Sequence, residues 1–241
     1  MEDLTVGERV VGIASGTLSE VATARRSRLV RAPQELDGPS LAALPISGLT
    51  ALQAVEAARV GAGQSVLVIG ASGGVGHYVV QLAAHRGARV TGVCSAAKAD
   101  AVRAWGAERV LDRHTQDPAD LGERFDVVVD VAGGRHLREQ RRLLTSRGTI
   151  VFVGDATGGR VTGGYLRPMR DALRMLVRRQ RYVMLASRES GDVLARLVDL
   201  AADGAVTPHV QAVVPLMEAA DAMRLLASGQ VTGKVVVAVR D

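Results

Sequence analysis

Ser65-Val66-Leu67-Val68-Ile69-Gly70-Ala71-Ser72-Gly73-Gly74-Val75-Gly76 is an apolar run that turns directly into a glycine-rich stretch. Val66 to Ile69 show no alternation of apolar and polar residues, the pattern of a strand covered on both faces and hence of a parallel sheet. Beyond the turn, Val75, Val79, Leu82 and Ala83 recur at helical spacing, and Gly87 occupies the place of a left-handed C-terminal cap. The stretch reads strand, tight turn, amphipathic helix. Gly73 would let a ligand reach the backbone with no Cβ in the way, and Gly76 would let the helix lie close on the strand. The free amides of the first helical turn suit a pyrophosphate. A Walker phosphate loop is excluded, because no Lys followed by Ser or Thr comes after the last glycine. Ala71 stands where the plain G-x-G-x-x-G pattern has its first glycine, so the loop alone leaves a dinucleotide site and an ordinary turn both open.

The chain of 241 residues, 47% of them hydrophobic, is long enough for a sizeable core in one large domain or two small ones. No apolar run reaches the roughly 18 residues a membrane helix needs. The opening residues Met1-Glu2-Asp3-Leu4-Thr5 lack the apolar stretch of a secretory signal, so a cytoplasmic enzyme is expected. The single cysteine, Cys94, rules out internal disulfides and cysteine-rich zinc sites. A formal charge of +5 raises the question of nucleic acid. Aromatic residues are only 2% of the chain, and Lys98 and Lys234 are its only lysines. Arginine-rich solvated surface, with no nucleic-acid partner, is the reading this favours.

Along the chain, Gly7–Ile13 and Leu18–Ala24 read as two β-strands turned at Ser15-Gly16, with a short third at Leu29-Val30. A loop over Pro33–Pro39 leads to a helix from Ala42 to about Ala58. After the central strand and helix come strand Ala88–Cys94, helix Lys98–Trp105 and short strand Arg109–Leu111. A second half repeats the scheme: strand Phe125–Val131, helix His136–Leu144, strand Gly148–Val153, helix Met169–Arg179 and strand Tyr182–Leu185. Such alternation predicts an α/β fold with a doubly wound, six-stranded parallel sheet of Rossmann type, in spatial order 3-2-1-4-5-6. Ligand would lie at the carboxyl ends of the first and fourth strands, Ala71–Val75 and Val131–Gly134. In the tail, helix Asp192–Ala202, strand Val210–Val214, helix Glu218–Ala227 and strand Lys234–Val239 are expected to join the N-terminal strands in a second lobe. The expected division is a partial lobe of residues 1–38 with 188–241, and a dinucleotide domain of residues 39–187.

Gly7-Glu8-Arg9-Val10, Leu44-Pro45 with Gly48-Leu49-Thr50-Ala51, Gly70–Gly76, Gly106-Ala107 and Gly233-Lys234-Val235-Val236 stand in one order from Gly7 to the C-terminus. As a set they resemble the medium-chain dehydrogenase/reductase superfamily, and within it the zinc-independent quinone oxidoreductase group that includes zeta-crystallin. The resemblance implies NAD(P)H-dependent reduction of a quinone, an activated alkene or a carbonyl, and a second lobe of the GroES-like kind. Short-chain reductases are set aside, because Tyr78, Tyr165 and Tyr182 have no Lys four residues on.

Cofactor choice falls at the end of the second strand, where an NAD enzyme usually offers an acid to the ribose. Val93-Cys94-Ser95-Ala96-Ala97-Lys98 contains none. Ser95 and Lys98 match positions that bind the 2′-phosphate in NADPH-using relatives, so NADPH is preferred over NADH. Arg113 replaces the tyrosine typical of the group and offers stacking on adenine, or charge. The resemblance further implies that nicotinamide is held by Val131-Ala132-Gly133 and Phe152-Val153-Gly154, with Thr50 beneath. The cofactor set is thus Thr50, Ser72, Gly73, Gly74, Val75, Ser95, Lys98, Arg113, Ala132, Gly133 and Gly154. Hydride transfer depends on placement, so no titrating catalyst is required.

Relatives carry further strands before the Gly7 motif, so the N-terminal part of the catalytic domain is expected to be missing. That leaves open an inactive NADPH-binding module, or a fragment of a zinc alcohol dehydrogenase. No zinc is expected, since His77 and His85 lie about 12 Å apart along one helix. His77, His85, His114, His136 and His209 read as surface or helix-end residues, and Cys94 as a small buried one. Arg170, Arg174 and Arg178 line one side of their helix, read either as a solvated face or as a subunit contact. Relatives dimerise along a sheet edge, which points to a homodimer near Tyr182–Leu185. A small-molecule substrate is the other partner.

Overall fold

The computed structural model describes residues 4–133, 135–153 and 179–239. In chain order its elements are β1 (Val10–Gly12), β2 (Leu29–Arg31), α1 (Gly38–Ala43), α2 (Pro45–Ala58), β3 (Ser65–Ile69), α3 (Gly76–His85) and β4 (Arg89–Cys94). Then follow α4 (Ala99–Ala104), β5 (Arg109–Asp112), β6 (Phe125–Asp130), α5 (Leu137–Arg142), β7 (Leu144–Phe152) and β8 (Arg181–Met184). The chain continues with α6 (Gly191–Ala202), β9 (Val210–Pro215), α7 (Ala219–Ala227) and β10 (Lys234–Ala238). The expected helix over Met169–Arg179, with Arg170, Arg174 and Arg178, lies outside the described residues except for Arg179. No helix among the described residues is long and apolar enough to cross a membrane. Two compact units result, Met1–Leu49 with Arg188–Asp241, and Thr50–Ser187.

In the second unit, continuous Val, Leu and Ile runs leave neither face of a strand fit for water, and they pair into one six-stranded sheet. Its order is β5-β4-β3-β6-β7-β8, every pairing parallel, which is the predicted 3-2-1-4-5-6. Val66, Leu67 and Val68 are fully buried, as the lack of alternation requires. Leu67, Ile69, Val93, Leu111, Phe125, Val128, Leu143, Leu144 and Ile150 form one core cluster. Each such large side chain contributes about 1.5–3 kcal/mol on burial. At the amino ends of the strands the Asp126 carboxylate accepts from the Ser65 amide at 3.0 Å and the Thr145 hydroxyl at 3.4 Å, tying β3 to β6 and β7.

α5 is shorter than expected and β7 starts earlier, at Leu144. Phe125 faces Leu144 while Val127 faces Thr149, so the register shifts there and β7 accommodates extra residues. Gly148 permits the kink, since a Cβ there would stand 3.0 Å from the Phe125 carbonyl oxygen.

In the first unit, Leu18–Ala24 is not a strand. β1 instead pairs antiparallel with β2, Val11 opposite Val30. Val21 is 80% exposed and Leu18 55%, so that stretch has no apolar surface to settle on. The tail strands lie in the same compact unit as the front ones but not in the same sheet. β9 and β10 pair in parallel as a separate two-stranded sheet. α1 packs on β1, β9 and β10, and α6 on β2, supplying the cover that two-stranded sheets need. The single helix expected from Ala42 is two. Asp37 caps α1 by accepting from the Ser40 amide at 2.7 Å, Pro39 sits in its first turn, and Leu44 separates it from α2.

Candidate nucleotide site

The turn after β3 is shaped from within. Gly70 has φ +86°, and a Cβ on it would meet Ala132 at 3.3 Å. Its amide and that of Ala71 both donate to the Val93 carbonyl, at 3.1 and 3.0 Å. Ala71 is tolerated where the common pattern has glycine because Gly92 on β4 leaves room: a Cβ at Gly92 would lie 3.0 Å from that of Ala71. A Cβ on Gly76 would collide with the Gly70 carbonyl oxygen and stand 2.9 Å from the Ala71 Cα, so the helix seats directly on the turn. Gly73 differs, for a Cβ there meets only the Gly70 oxygen at 3.5 Å. Among the described residues no backbone acceptor takes the amides of Ser72, Gly74, Val75 or Gly76. α3 has Val75 at its N-cap and no side-chain cap. A ten-residue helix so uncapped offers its N–H groups and dipole to an anion. Ser72 is 8% exposed, whereas Gly73, Gly74 and Val75 are half-buried.

The ends of β4 and β5 meet beside that turn. The Arg113 amide donates to the Cys94 carbonyl at 2.8 Å, and the Lys98 amide to that of Ser95 at 2.9 Å. Burial, and then the nearby Arg113 cation, holds the Lys98 ammonium below the usual lysine range. Arg113 is exposed, its Nε donating to His114 Nε2 at 3.1 Å. Lys98, Arg103 and Arg113 are all close enough to act on Cys94. The Cys94 thiol is 3% exposed and donates to the Ser95 carbonyl at 3.3 Å. Burial and then Asp112 push it above the ordinary thiol range, as suits a packed thiol. Asp112, overlooked in the sequence, turns its carboxylate to its own loop, accepting from the His114 amide at 3.2 Å and the Thr115 hydroxyl at 3.1 Å.

The third side is the end of β6. The Val131 amide donates to the Ile69 carbonyl at 3.0 Å, and Ala132 is exposed beside Gly70. Gly133 has φ +69° and donates its amide to Asp130 Oδ1 at 2.9 Å. Asp130 is fully buried and also accepts from the Gln140 side chain. Burial raises its carboxyl above the ordinary range despite these bonds. The Val153 amide donates to the Asp130 carbonyl at 3.0 Å, drawing the end of β7 in; Gly154 and Gly134 lie outside the described residues. Thr50 has a different neighbour, its hydroxyl donating to Ser187 Oγ at 3.3 Å beyond β8. The structure thus places Gly73–Val75, Ala132 and Gly133 at the carboxyl ends of β3 and β6, with Ser95, Lys98 and Arg113 at those of β4 and β5.

One histidine corrects the sequence reading. His77 does sit at a helix end, in the first turn of α3, but it is fully buried and not on the surface. Its neighbours are Tyr78 and Trp105, and its Nδ1 lies 3.0 Å from the Gly73 carbonyl oxygen. Among the described residues no group of three or more His, Cys, Asp or Glu is placed to hold a metal ion.

The strand order, and the bare amides where that order reverses, define the class: a doubly wound domain of Rossmann type. A family model described as zinc-binding dehydrogenase matches residues 105–237. The chloroplast envelope quinone oxidoreductase homolog of Arabidopsis thaliana is 32% identical, over 98% of this chain and 74% of that relative. The quinone oxidoreductase of Coxiella burnetii superposes with a TM-score of 0.84 at 29% identity, covering 100% of this chain and 74% of the other. A mycobacterial protein solved in complex with NADPH superposes at 0.81 with 27% identity, covering 97% of this chain and 75% of the other. The chain belongs to the medium-chain dehydrogenase/reductase superfamily, in its zinc-independent quinone oxidoreductase group.

Proposed function

We propose that the chain binds NADPH at the carboxyl ends of β3, β4 and β6 and reduces a quinone, or an enone with the same electron demand at carbon, by hydride transfer. The observation that carries this is the pairing of unclaimed amides at Gly74 to Gly76 with the cations Lys98 and Arg113 at the end of β4 and β5. The amides and helix dipole of α3 would hold the pyrophosphate. Ser95 and Lys98 would hold the 2′-phosphate, with Arg113 stacking on adenine or adding charge. Ala132 and Gly133, kept in place by Asp130, would orient the nicotinamide ring, with Gly154 and Thr50 completing its surroundings. The bound cofactor supplies the hydride, and the chain supplies placement within reach of the acceptor carbon. No metal is needed for that step.

Fluorescence titration with NADPH and NADH tests the cofactor, with about tenfold tighter NADPH binding expected, equivalent to about 1.4 kcal/mol. Tighter NADH binding rejects the roles of Ser95 and Lys98. Loss of nicotinamide absorbance with a simple quinone tests turnover. Tight binding without turnover favours a nucleotide-holding module over a reductase.

A further inference from the structure

His77 carries out no step in that scheme, yet it is fully buried against the turn that would hold the phosphates. Its backbone amide donates to the Gly73 carbonyl oxygen at 3.1 Å, and its ring Nδ1 lies 3.0 Å from the same oxygen. A carbonyl oxygen only accepts, so Nδ1 carries the proton. Both lone-pair directions of that oxygen are therefore taken by one residue. The ring is fixed in turn by Trp105, with centroids 5.4 Å apart, and by Tyr78 at 3.8 Å, while the Gln81 side chain donates to the His77 carbonyl at 3.2 Å.

The consequence follows from peptide geometry. In a trans peptide the N–H points opposite to the C=O, and among the described residues no peptide bond is cis. Pinning the Gly73 carbonyl toward α3 therefore aims the Gly74 N–H away from the helix, where no backbone acceptor among the described residues takes it. We propose, on the nucleotide reading above, that His77 is a positioning residue for the pyrophosphate: its Nδ1–H fixes the Gly73–Gly74 peptide so that the Gly74 amide faces the ligand. Without the imidazole that peptide keeps one bond in place of two, in a glycine pair with wide conformational freedom.

Three variants of the full chain test this. Asn places an amide N–H near the Nδ1 position, Gln places it further out, and Ala removes it. For His77→Ala and His77→Gln, NADPH affinity should fall about three- to tenfold, the equivalent of one lost hydrogen bond, while His77→Asn should stay near wild type. Adenosine 2′-monophosphate, which lacks the pyrophosphate, should bind all four proteins alike. In the nucleotide-free protein, exchange of the Gly73 amide, which closes the turn onto Gly70, should quicken in the Ala and Gln variants and not in the Asn variant. Equal loss in Asn and Ala, parallel loss for adenosine 2′-monophosphate, or unchanged exchange in all three overturns the proposal. Should the Ala variant fail to fold, the comparison of Asn with Gln decides. A wild-type chain that binds no nicotinamide nucleotide rejects the proposed function, while Gly73 exchange still judges the role of His77.

Discussion

A methyl group added at Gly73 and one added at Gly76 would meet different things, and the difference separates folding from binding. At Gly76 the new Cβ strikes the Gly70 carbonyl and sits 2.9 Å from the Ala71 Cα, and backbone cannot move aside cheaply. Gly76→Ala should cost about 1–3 kcal/mol and lower the melting temperature by several degrees. At Gly73 the nearest atom is 3.5 Å away, so the fold should melt unchanged while NADPH affinity drops at least about tenfold. Calorimetry with nucleotide titration on both variants reads the contrast, and a stable Gly76→Ala protein would contradict the seating of α3. Lys98→Met should weaken NADPH about tenfold and leave NADH within about twofold, since only the former carries a 2′-phosphate for the ammonium to meet. Equal loss for both nucleotides removes Lys98 from the 2′-phosphate. The places of Gly73, Ser95 and Lys98 in the fold were legible because their neighbours in sequence, a strand end and a helix start, already state where they sit. His77 was not, because burial of a histidine depends on Trp105, nearly thirty residues away.

At the scale of elements, the carboxyl end of β6 shows how a strand holds a loop it does not contain. Asp130 accepts from Gly133 and Gln140, and Arg135 also acts on it, yet burial is the largest effect and raises its carboxyl above 3.8. Folding then tightens proton binding. The stabilisation this gives is complete below the ordinary carboxylate value and is lost as pH rises through the raised one. Asp130→Asn does not titrate. Its melting temperature relative to wild type should therefore climb as pH is taken from about 4 towards neutrality; a gap constant with pH would show that the carboxyl titrates as if exposed. The sheet around it was readable, since β3 and β6 announce burial on both faces by lacking polar alternation. β1, β2 and the tail pair were less so. Three-residue strands carry almost no pattern, and Leu18–Ala24 has the composition of a strand but no partner among the described residues. The start of β7 was hidden because the extra residues at the β6–β7 register shift answer to Gly148 and Phe125 and not to local propensity.

For the whole molecule, β8 is the last strand of the six and among the described residues pairs only with β7, with Met184 37% exposed on it. An open edge of this kind either is covered or pairs. We expect a homodimer joined along Arg181–Met184, so sedimentation should give about twice the 25.3 kDa of the chain at micromolar concentration, and a monomer there would reject it. Quinones and enones are also avid alkylating agents, and an enzyme that handles them risks being poisoned by what it consumes. Here the one thiol, Cys94, is buried at the carboxyl end of β4, and burial holds its proton on. On the proposed function, such electrophiles would find no exposed cysteine thiol to arylate, because the single cysteine is 3% exposed.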